Sequence, residues 1–204
     1  MLKCSHKNTN RHARMRGVSM VELVIILALV LVMAGIVVPP ATQIINNIRL
    51  RNSAAEVADL MQQTRISAAR KNATYSVGFR TNGGTQEAYI DLNNNGSLDA
   101  GEPYIDLPSG ITAASGAPDG TGGTPTAFTL VGDTSSGTPF DNSNTLAFSP
   151  RGLPCNYVSS TCSTPATSYF VFYFNNSRPN GWAAVLVTKS GRTRPLFWNG
   201  ASWN

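Results

Sequence analysis

An apolar run from residue 18 to residue 38 follows a strongly basic N-terminal segment, and it constrains the fold of this chain more than any other feature. A bilayer core is about 30 Å thick and is crossed by about 20 predominantly apolar residues in a helix, so the run is long enough to span it. The run continues into Pro39 and Pro40 and lacks the small-residue cleavage site of a secretory signal peptide. The sequence therefore predicts a transmembrane segment over residues 18–38.

The charges before this segment predict its orientation. Cations flanking a membrane span stay preferentially in the cytoplasm. We therefore expect a single-pass protein with a cytoplasmic N-terminus and an exported remainder. The flank contains five cations and no acid: Lys3, Lys7, Arg11, Arg14 and Arg16.

Glu22 places a carboxylate inside the apolar run. A charge well inside a membrane span costs about 2.5 to 3.5 kcal/mol on insertion scales, so such a residue usually has a partner. Two interpretations remain open for Glu22. Its side chain lies near enough to the interface to reach water, or it pairs with another group.

The N-terminal residues resemble those of type IV prepilins and pseudopilins. The shared arrangement is a basic leader, Gly17, a short polar residue, Glu22 five positions after that glycine, a long apolar helix and Pro39. The resemblance implies that a prepilin peptidase removes residues 1–17 by cutting after Gly17, and that the new N-terminus at Val18 is methylated. Val18 departs from the family pattern, in which Phe is usual.

The same resemblance implies a place and partners for the mature chain. Members are anchored in the inner membrane, with the head in the periplasm or in an extracellular pilus, and they assemble with other pilin or pseudopilin subunits. Glu22 would then meet the N-terminal amine of a neighbouring subunit, and this pairing would offset the cost of its burial.

Removal of the leader changes the charge balance and the histidine content of the chain. The leader carries five of the 16 cations and both histidines, His6 and His12, which leaves 11 cations against 11 acids and no histidine. Histidine-based acid–base catalysis, Ser-His-Asp and Cys-His nucleophiles and His-ligated zinc are therefore excluded from the mature chain. The sequence also contains no phosphate-binding glycine loop or nucleophile elbow. We therefore expect no enzymatic activity and no required cofactor.

Residues 39–72 show the spacing of an amphipathic helix. Pro39 removes a helical hydrogen bond, so we expect one long helix with a kink between its membrane and amphipathic halves. The apolar stripe of the second half needs a cover from the rest of the chain. The positions assigned to that stripe are Ile44, Ile45, Ile48, Ala55, Ala58, Met61 and Ala68.

Residues 73–204 predict a β-rich head that supplies this cover. About 130 residues suffice for one globular domain. Surface loops are predicted over 108–144, apart from one strand at 127–131. The fold class expected is α+β and type IV pilin-like, with the long kinked helix packed against an antiparallel β-sheet. The predicted strands are 74–80, 88–92, 103–107, 127–131, 145–148, 168–175 and 182–189.

One segment of the head matches the twelve-residue calcium-loop pattern. Oxygen-bearing side chains and a central Gly96 recur at the spacing that lets a hard cation collect ligands from a single turn. The alternative is a plain hairpin, because the flanks look like strands and Asn95-Gly96 is by itself a good turn. The candidate ligands are Asp91, Asn93, Asn95, Ser97, Asp99 and Glu102.

Cys155 and Cys162 remain as an even pair once Cys4 leaves with the leader. In an exported domain such a pair is expected to form a disulfide. Two buried free thiols are the alternative.

The C-terminal part of the chain is basic, since residues 142–204 contain five cations and no acid. Two segments in it, Phe148-Ser149-Pro150-Arg151-Gly152 and Gly191-Arg192-Thr193-Arg194, resemble the C-terminal signature of the GspH/FimT group of minor pilins and pseudopilins. In members of the FimT kind, a Gly-Arg-x-Arg contacts DNA during uptake, which implies this role for Arg192 and Arg194.

An extended strand would suit Arg192 and Arg194 to that role. Alternate residues of an extended strand point to the same side, so Arg192 and Arg194 could each hold a phosphate. We expect Lys189, Arg178 and Arg151 to extend the patch, and Trp198 or Trp203 to stack on an exposed base. A solvated turn, or a contact with another subunit, remains the alternative.

Two functions from different machines therefore stay open. The first is a minor pilin of a type IV pilus with DNA capture as an added role. The second is a GspH-like pseudopilin of a type II secretion system without any DNA role. The N-terminal third does not separate them, because the type IV pilus and the type II secretion system use the same kind of N-terminal segment.

Overall fold

The computed structural model describes residues 18–114, 140, 144–163, 169–178, 181–200 and 203, and for residues 36–41 it describes the backbone alone. The chain divides into two compact units, one ending at Gln43 and the other running from Ile44 to Asn204. The predicted leader, residues 1–17, and the predicted strand at 127–131 lie outside the described residues.

A long helix, α1 (Met20–Lys71), opens the described chain. It begins after Ser19, whose carbonyl oxygen accepts a hydrogen bond from the Leu23 N–H at 3.1 Å. At its end, the Ala73 N–H donates to the Ala68 carbonyl at 3.1 Å and Asn72 adopts a φ of 51°, which is the left-handed cap that commonly terminates helices. The predicted helix is therefore confirmed to within two residues at its start and one at its end.

The helix assignment continues without a break through Pro39 and Pro40. The predicted kink falls on residues whose side chains lie outside the described set, and it stays a prediction. Among the residues with described side chains, no helix combines the length and apolarity that a membrane crossing requires. The last part of the predicted span, residues 36–38, lies outside that set.

The head contains two antiparallel sheets, so the fold is α+β. The first, sheet A, has six strands in the spatial order β3-β2-β1-β5-β6-β7. Its strands are β1 (Tyr75–Asn82), β2 (Thr85–Asp91), β3 (Tyr104–Asp106), β5 (Leu146–Phe148), β6 (Pro154–Val158) and β7 (Thr161–Ser163).

The second, sheet B, has four strands in the order β10-β9-β8-β4. Its central hairpin pairs Phe170 with Val187 at one end and Asn175 with Trp182 at the other. This register defines two ends of the sheet, which we call the Val187 end and the Trp182 end. The strands are β4 (Thr112–Ala114), β8 (Phe170–Asn175), β9 (Trp182–Val187) and β10 (Thr193–Phe197).

Helix α1 and both sheets share one hydrophobic core. The second part of α1 buries residues that recur every three or four positions, as a core-facing helix requires. Sheet A meets sheet B across Phe79, whose ring centroid lies 5.7 Å from that of Phe172 and 5.9 Å from that of Phe174. The buried helix residues of this core are Leu50, Ala54, Val57, Ala58, Leu60, Met61 and Ala68.

Two sequence predictions about this core need correction. Ile44, Ile45 and Ile48 were assigned to the buried stripe but are about half exposed or more, because the contact with the sheets begins only at Leu50. Residues 108–144 were predicted as loops apart from 127–131, yet β4 lies among them and pairs with β8. Its short sequence, Thr-Ala-Ala, has no alternating pattern, so only pairing with a neighbour reveals it.

The other strand predictions are confirmed with shifted boundaries, and β6, β7 and β10 were missed. These three strands contain proline, cysteine or arginine among polar residues, so they lack the alternation of apolar and polar residues from which a strand is predicted. The predicted disulfide is confirmed: Cys155 and Cys162 are bonded across the β6–β7 hairpin, with their Cα atoms 5.3 Å apart.

Candidate functional site

The Gly191-Arg192 segment forms the turn between β9 and β10. The Gly191 N–H donates to the Thr188 carbonyl at 2.8 Å, and the Thr188 N–H donates to the Arg192 carbonyl at 2.9 Å. Gly191 adopts a φ of 80°, a conformation that suits glycine because it has no Cβ. This turn lies at the Val187 end of sheet B, since Thr193 pairs with Val187.

The Arg151-Gly152 segment forms a second turn, between β5 and β6. The Gly152 N–H donates to the Ser149 carbonyl at 2.8 Å, and the Ser149 N–H donates to the Leu153 carbonyl at 2.9 Å. Gly152 also has a positive φ, of 70°. Each signature segment recognised in the sequence is therefore a glycine-containing turn after a strand.

Helix α1 brings these two turns together. Arg65 Nε donates to the Gly152 carbonyl at 3.0 Å, and Gln62 Nε2 donates to Thr193 Oγ1 at 2.8 Å. A Cβ added at Gly191 would lie 2.9 Å from both Arg65 Nε and the Gly152 carbonyl oxygen. The turns thus touch each other and the helix, although some forty residues separate them in sequence.

Three arginine side chains are exposed at this meeting point: Arg151, Arg192 and Arg194. Thr193, between the last two, donates its hydroxyl to the Ala58 carbonyl of the helix at 3.3 Å. Because residues alternate along a strand, Arg194 in β10 points away from the helix that Thr193 contacts, and Arg192 is exposed in the preceding turn. Within the described part of the chain, none of the three guanidinium groups makes an ion pair. We call these three residues the arginine cluster.

Other residues predicted for this surface are not all near it. Lys189 is half-buried in the same turn as Arg192. Arg178 follows β8, so the register places it at the Trp182 end, opposite the arginine cluster. Its predicted contribution to a continuous patch was therefore wrong, because strand β9 runs from the turn that contains Arg178 to the turn that contains Arg192.

The predicted stacking role of the C-terminal tryptophans also needs correction. Trp198 is buried, and its ring centroid lies 5.4 Å from that of Trp203. Trp203 is half-buried and also packs on Tyr173, with 5.9 Å between ring centroids. Since Trp198 follows the end of β10 that pairs with Ala183, both rings belong to the Trp182 end of sheet B.

The predicted calcium loop is a compact turn held by its own hydrogen bonds. Asp91 Oδ2 accepts from the Gly96 N–H at 2.7 Å, and Asp91 Oδ1 accepts from the N–H groups of Asn93 and Asn95, each at 3.2 Å. Glu102 accepts from the N–H groups of Leu92 and Asp99 at 2.7 and 2.8 Å. Backbone N–H groups therefore donate hydrogen bonds to both buried carboxylates, Asp91 and Glu102.

The remaining loop side chains are also paired with one another. The amides of Asn93 and Asn95 donate to Asp99 Oδ2 at 2.7 and 2.8 Å, and Ser97 donates its N–H to Asn95 Oδ1 at 2.8 Å. Among the described residues, no group of three or more His, Cys, Asp or Glu side chains is placed to hold a metal ion. A calcium ion would have to displace these Asn–Asp bonds, so calcium binding stays a prediction.

At the N-terminal end, the structure describes Val18 but not Gly17. Val18 is 65% exposed, and Glu22 is exposed in the first turn of α1. A carboxylate in the first helical turn interacts favourably with the unpaired N–H groups and the positive end of the helix dipole. The processing and assembly roles of these residues stay predictions.

Sequence reasoning missed Arg65 and Gln62, which organise the two turns. Both lie on the amphipathic helix three positions apart, where long polar side chains ordinarily indicate a solvated face. Only the positions of Gly152, Gly191 and Thr193 show that these side chains reach across to the head.

No protein-family model, curated protein or solved structure shows significant similarity to this chain.

Proposed function

We propose that this protein is a minor pilin or pseudopilin: an inner-membrane subunit that a prepilin peptidase processes after Gly17 and that assembles with other subunits into a type IV pilus. The observation that carries the proposal is the prepilin-like arrangement of Gly17, Val18 and Glu22 at the start of a long apolar helix. The head would face the periplasm or the outside of the pilus.

The exposure of the first part of α1 supports this proposal. Apolar side chains point outward on every side of the helix, with Met20 86% exposed and Leu31 72% exposed. Soluble monomers rarely expose a continuous apolar surface of this kind, and a helix that is apolar all round is normally surrounded by lipid or protein. A bilayer before assembly and neighbouring helices after assembly would provide those surroundings.

The architecture of the second unit agrees with the same proposal. The second half of α1 is fixed in the core of a two-sheet head, and it continues directly from the exposed apolar half. Such a unit can serve as the folded domain that an assembly segment displays.

Processing by a prepilin peptidase tests the proposal directly. The full chain should be expressed in membranes with and without a prepilin peptidase, and its intact mass measured. We expect loss of residues 1–17 and the added mass of one methyl group only when the peptidase is present. Gly17→Val should block the cleavage, whereas Glu22→Gln should be cleaved normally and fail only in filament assembly. An uncut wild-type chain would overturn the proposal.

DNA capture by the arginine cluster is the added role that we propose for the head. Its support is the exposure of Arg151, Arg192 and Arg194 in or beside two turns that touch each other, with no ion pair to other described residues. Binding would involve few phosphates, so the affinity should be modest and should fall steeply with salt.

A salt series with duplex DNA tests this role. Each phosphate contact contributes about −0.9 to the slope of log K against log salt. The double variant Arg192→Ala, Arg194→Ala should therefore bind more weakly, with a slope shallower by about 2. Arg178→Ala is the matched control, because it removes one exported cation from the opposite end of the sheet. A loss in Arg178→Ala of half that of the double variant, or more, would indicate a general charge effect and not a site.

A pseudopilin of a type II secretion system is the second candidate. The observation that favours it is the packing of Gly191 against Arg65 and Gly152, which gives the Gly-Arg turn a structural reason independent of DNA. If the full chain does not bind DNA even at low salt, while peptidase processing occurs, this candidate is preferred.

A further inference from the structure

The outer face of sheet A, away from helix α1, contains a cleft of about 500 Å³. This volume lies within the range of about 300 to 1,000 Å³ typical of small-molecule sites. Its floor is the β1–β2 pair around Gly78, and its two walls are the 94–96 loop on one side and the β6–β7 hairpin on the other. Neither the arginine cluster nor the apolar half of α1 belongs to it.

The floor of the cleft is built around a glycine and a tyrosine ring. Gly78 is paired with Tyr89 across the two strands, and a Cβ at Gly78 would lie 2.3 Å from Tyr89 Cζ. The ring therefore lies flat across Gly78, where no other residue fits. The Tyr89 hydroxyl donates to the Gly96 carbonyl at 2.9 Å, which ties the floor to the first wall. Burial, followed by the nearby Asp91 and Glu102 carboxylates, raises the pKa of Tyr89, so the hydroxyl keeps its proton.

Both walls are held rigidly. The 94–96 loop is fixed by the hydrogen bonds from its backbone to Asp91. The opposite hairpin is closed by the Cys155–Cys162 disulfide, and its tip consists of Ser159 and Ser160, both with positive φ. Sites that are formed before binding lose less conformational entropy when a ligand arrives. This cleft is preformed in that sense.

The chemistry of the lining is neutral to acidic and rich in hydroxyl and amide groups. No lysine, arginine or histidine occurs among the described residues that line it, which disfavours phosphate and other anionic ligands. Hydroxyls and amides both donate and accept hydrogen bonds, as the hydroxyl groups of a polyol require. The polar groups come from Ser76, Asn94, Asn95, Asn144, Thr145 and Ser159.

Two side chains that line the cleft are of interest for ligand binding: one has an acceptor atom without a hydrogen-bond partner, and the other is an aromatic ring that is only partly buried. Asn94 donates its Nδ2 to the Thr74 carbonyl at 2.7 Å, but its buried Oδ1 has no hydrogen-bond partner among the described residues. A buried acceptor without a donor costs about 1 to 3 kcal/mol, so a small shift of the Asn94 side chain that exposed Oδ1 to a ligand hydroxyl would be favoured. Tyr157 is half-buried and lines the cleft, and the face of a tyrosine ring can pack on polarised C–H groups.

We propose that this cleft binds a neutral carbohydrate, a mono- or disaccharide unit, with Tyr157 packing on the sugar ring and the amides and hydroxyls of the walls binding its hydroxyl groups. This binding site goes beyond the proposed assembly function and does not depend on it.

Saturation-transfer NMR on the full chain tests the proposal. The protein is held in a zwitterionic detergent without sugar head groups, and the probes are cellobiose, lactose and N,N′-diacetylchitobiose, with glycerol as a polyol lacking a ring. We expect transfer to at least one disaccharide and none to glycerol, with a dissociation constant in the millimolar range or tighter.

Tyr157→Ala should weaken that binding by about tenfold, the effect of losing one ring-stacking contact. Tyr104→Ala is the matched control, because Tyr104 is 54% exposed on β3 and does not line the cleft. Should Tyr157→Ala fail to fold, Thr145→Val removes a single exposed hydroxyl from the wall and must then weaken binding. Absence of transfer to all three disaccharides, transfer to glycerol as strong as to the sugars, or equal loss in the Tyr157 and Tyr104 variants overturns the proposal.

Discussion

Replacing Gly191 with alanine tests whether the two signature turns touch as described. Gly191 has a φ of 80°, and this left-handed conformation costs an L-residue about 1 to 2 kcal/mol. The new Cβ would also lie 2.9 Å from Arg65 Nε and from the Gly152 carbonyl oxygen. The carbonyl belongs to the backbone and cannot rotate away, so overpacking adds about 1 to 3 kcal/mol. We therefore expect Gly191→Ala to lower the free energy of unfolding by about 2 to 5 kcal/mol.

Gly84→Ala is the matched control for this substitution. Gly84 has a φ of 87°, but no heavy atom lies within 4 Å of a Cβ built on it. This variant should therefore lose only the conformational part, about 1 to 2 kcal/mol. The difference between the two variants isolates the packing of the Gly191 turn on Gly152 and Arg65.

Thermal unfolding of the full chain in detergent, followed by tryptophan fluorescence, measures both losses. For a domain of this size class, 1 kcal/mol shifts Tm by about 2 to 4 °C. Gly84→Ala should then lower Tm by about 2 to 8 °C, and Gly191→Ala by about 4 to 20 °C. If both variants lose the same amount, the close approach of the two turns is refuted.

Three further predictions concern the head. Hydrogen bonds from Arg80 and, second, from Asn82 lower the pKa of Glu87 below its usual 4.5. The ionised carboxylate therefore stabilises the folded head fully above the usual pKa of 4.5, and this stabilisation is lost as the pH falls through the lowered pKa. The Tm difference between wild type and Glu87→Gln should therefore shrink on acidification, and a constant difference would contradict this assignment. Cys162→Ser should lower the free energy of unfolding by about 2 to 3 kcal/mol through loss of a short closed loop, as measured by denaturant titration, and reduction of the wild type should reproduce the loss. If the 91–102 loop binds calcium, a millimolar concentration of the ion should raise the Tm of the wild type but not that of Asp91→Asn. A calorimetric titration with calcium that shows no heat of binding would refute the metal hypothesis.

The sequence predicted those elements that are specified by local pattern. The long helix followed from apolar and amphipathic periodicity, and its boundaries were correct to within two residues. The aromatic strand β8 was equally clear. The disulfide followed from two cysteines close together in a domain that was expected to be exported. In each case the signal lies within a few residues of the element that it predicts.

Elements that depend on pairing were harder to predict. Strands β4, β7 and β10 have no distinct pattern, and each exists because a neighbouring strand supplies its hydrogen bonds. The same limit explains the error at Arg178, since Arg178 and Arg192 lie in turns at opposite ends of strand β9. Trp198 was judged by residue type, whereas in the folded head it is buried and its ring packs against that of Trp203.

The sequence by itself determined the helix, the α+β class, the disulfide and the predicted processing site, because each depends on residue type and short-range spacing. The tertiary structure alone decided that Arg65 joins Gly152 to Gly191, and that Gly78 makes room for Tyr89 on the floor of a cleft. These contacts join residues far apart in the chain. They form only when the apolar stripe of the helix is buried against both sheets and the positions of the sheets are fixed. A pattern within a short segment of sequence therefore does not predict them.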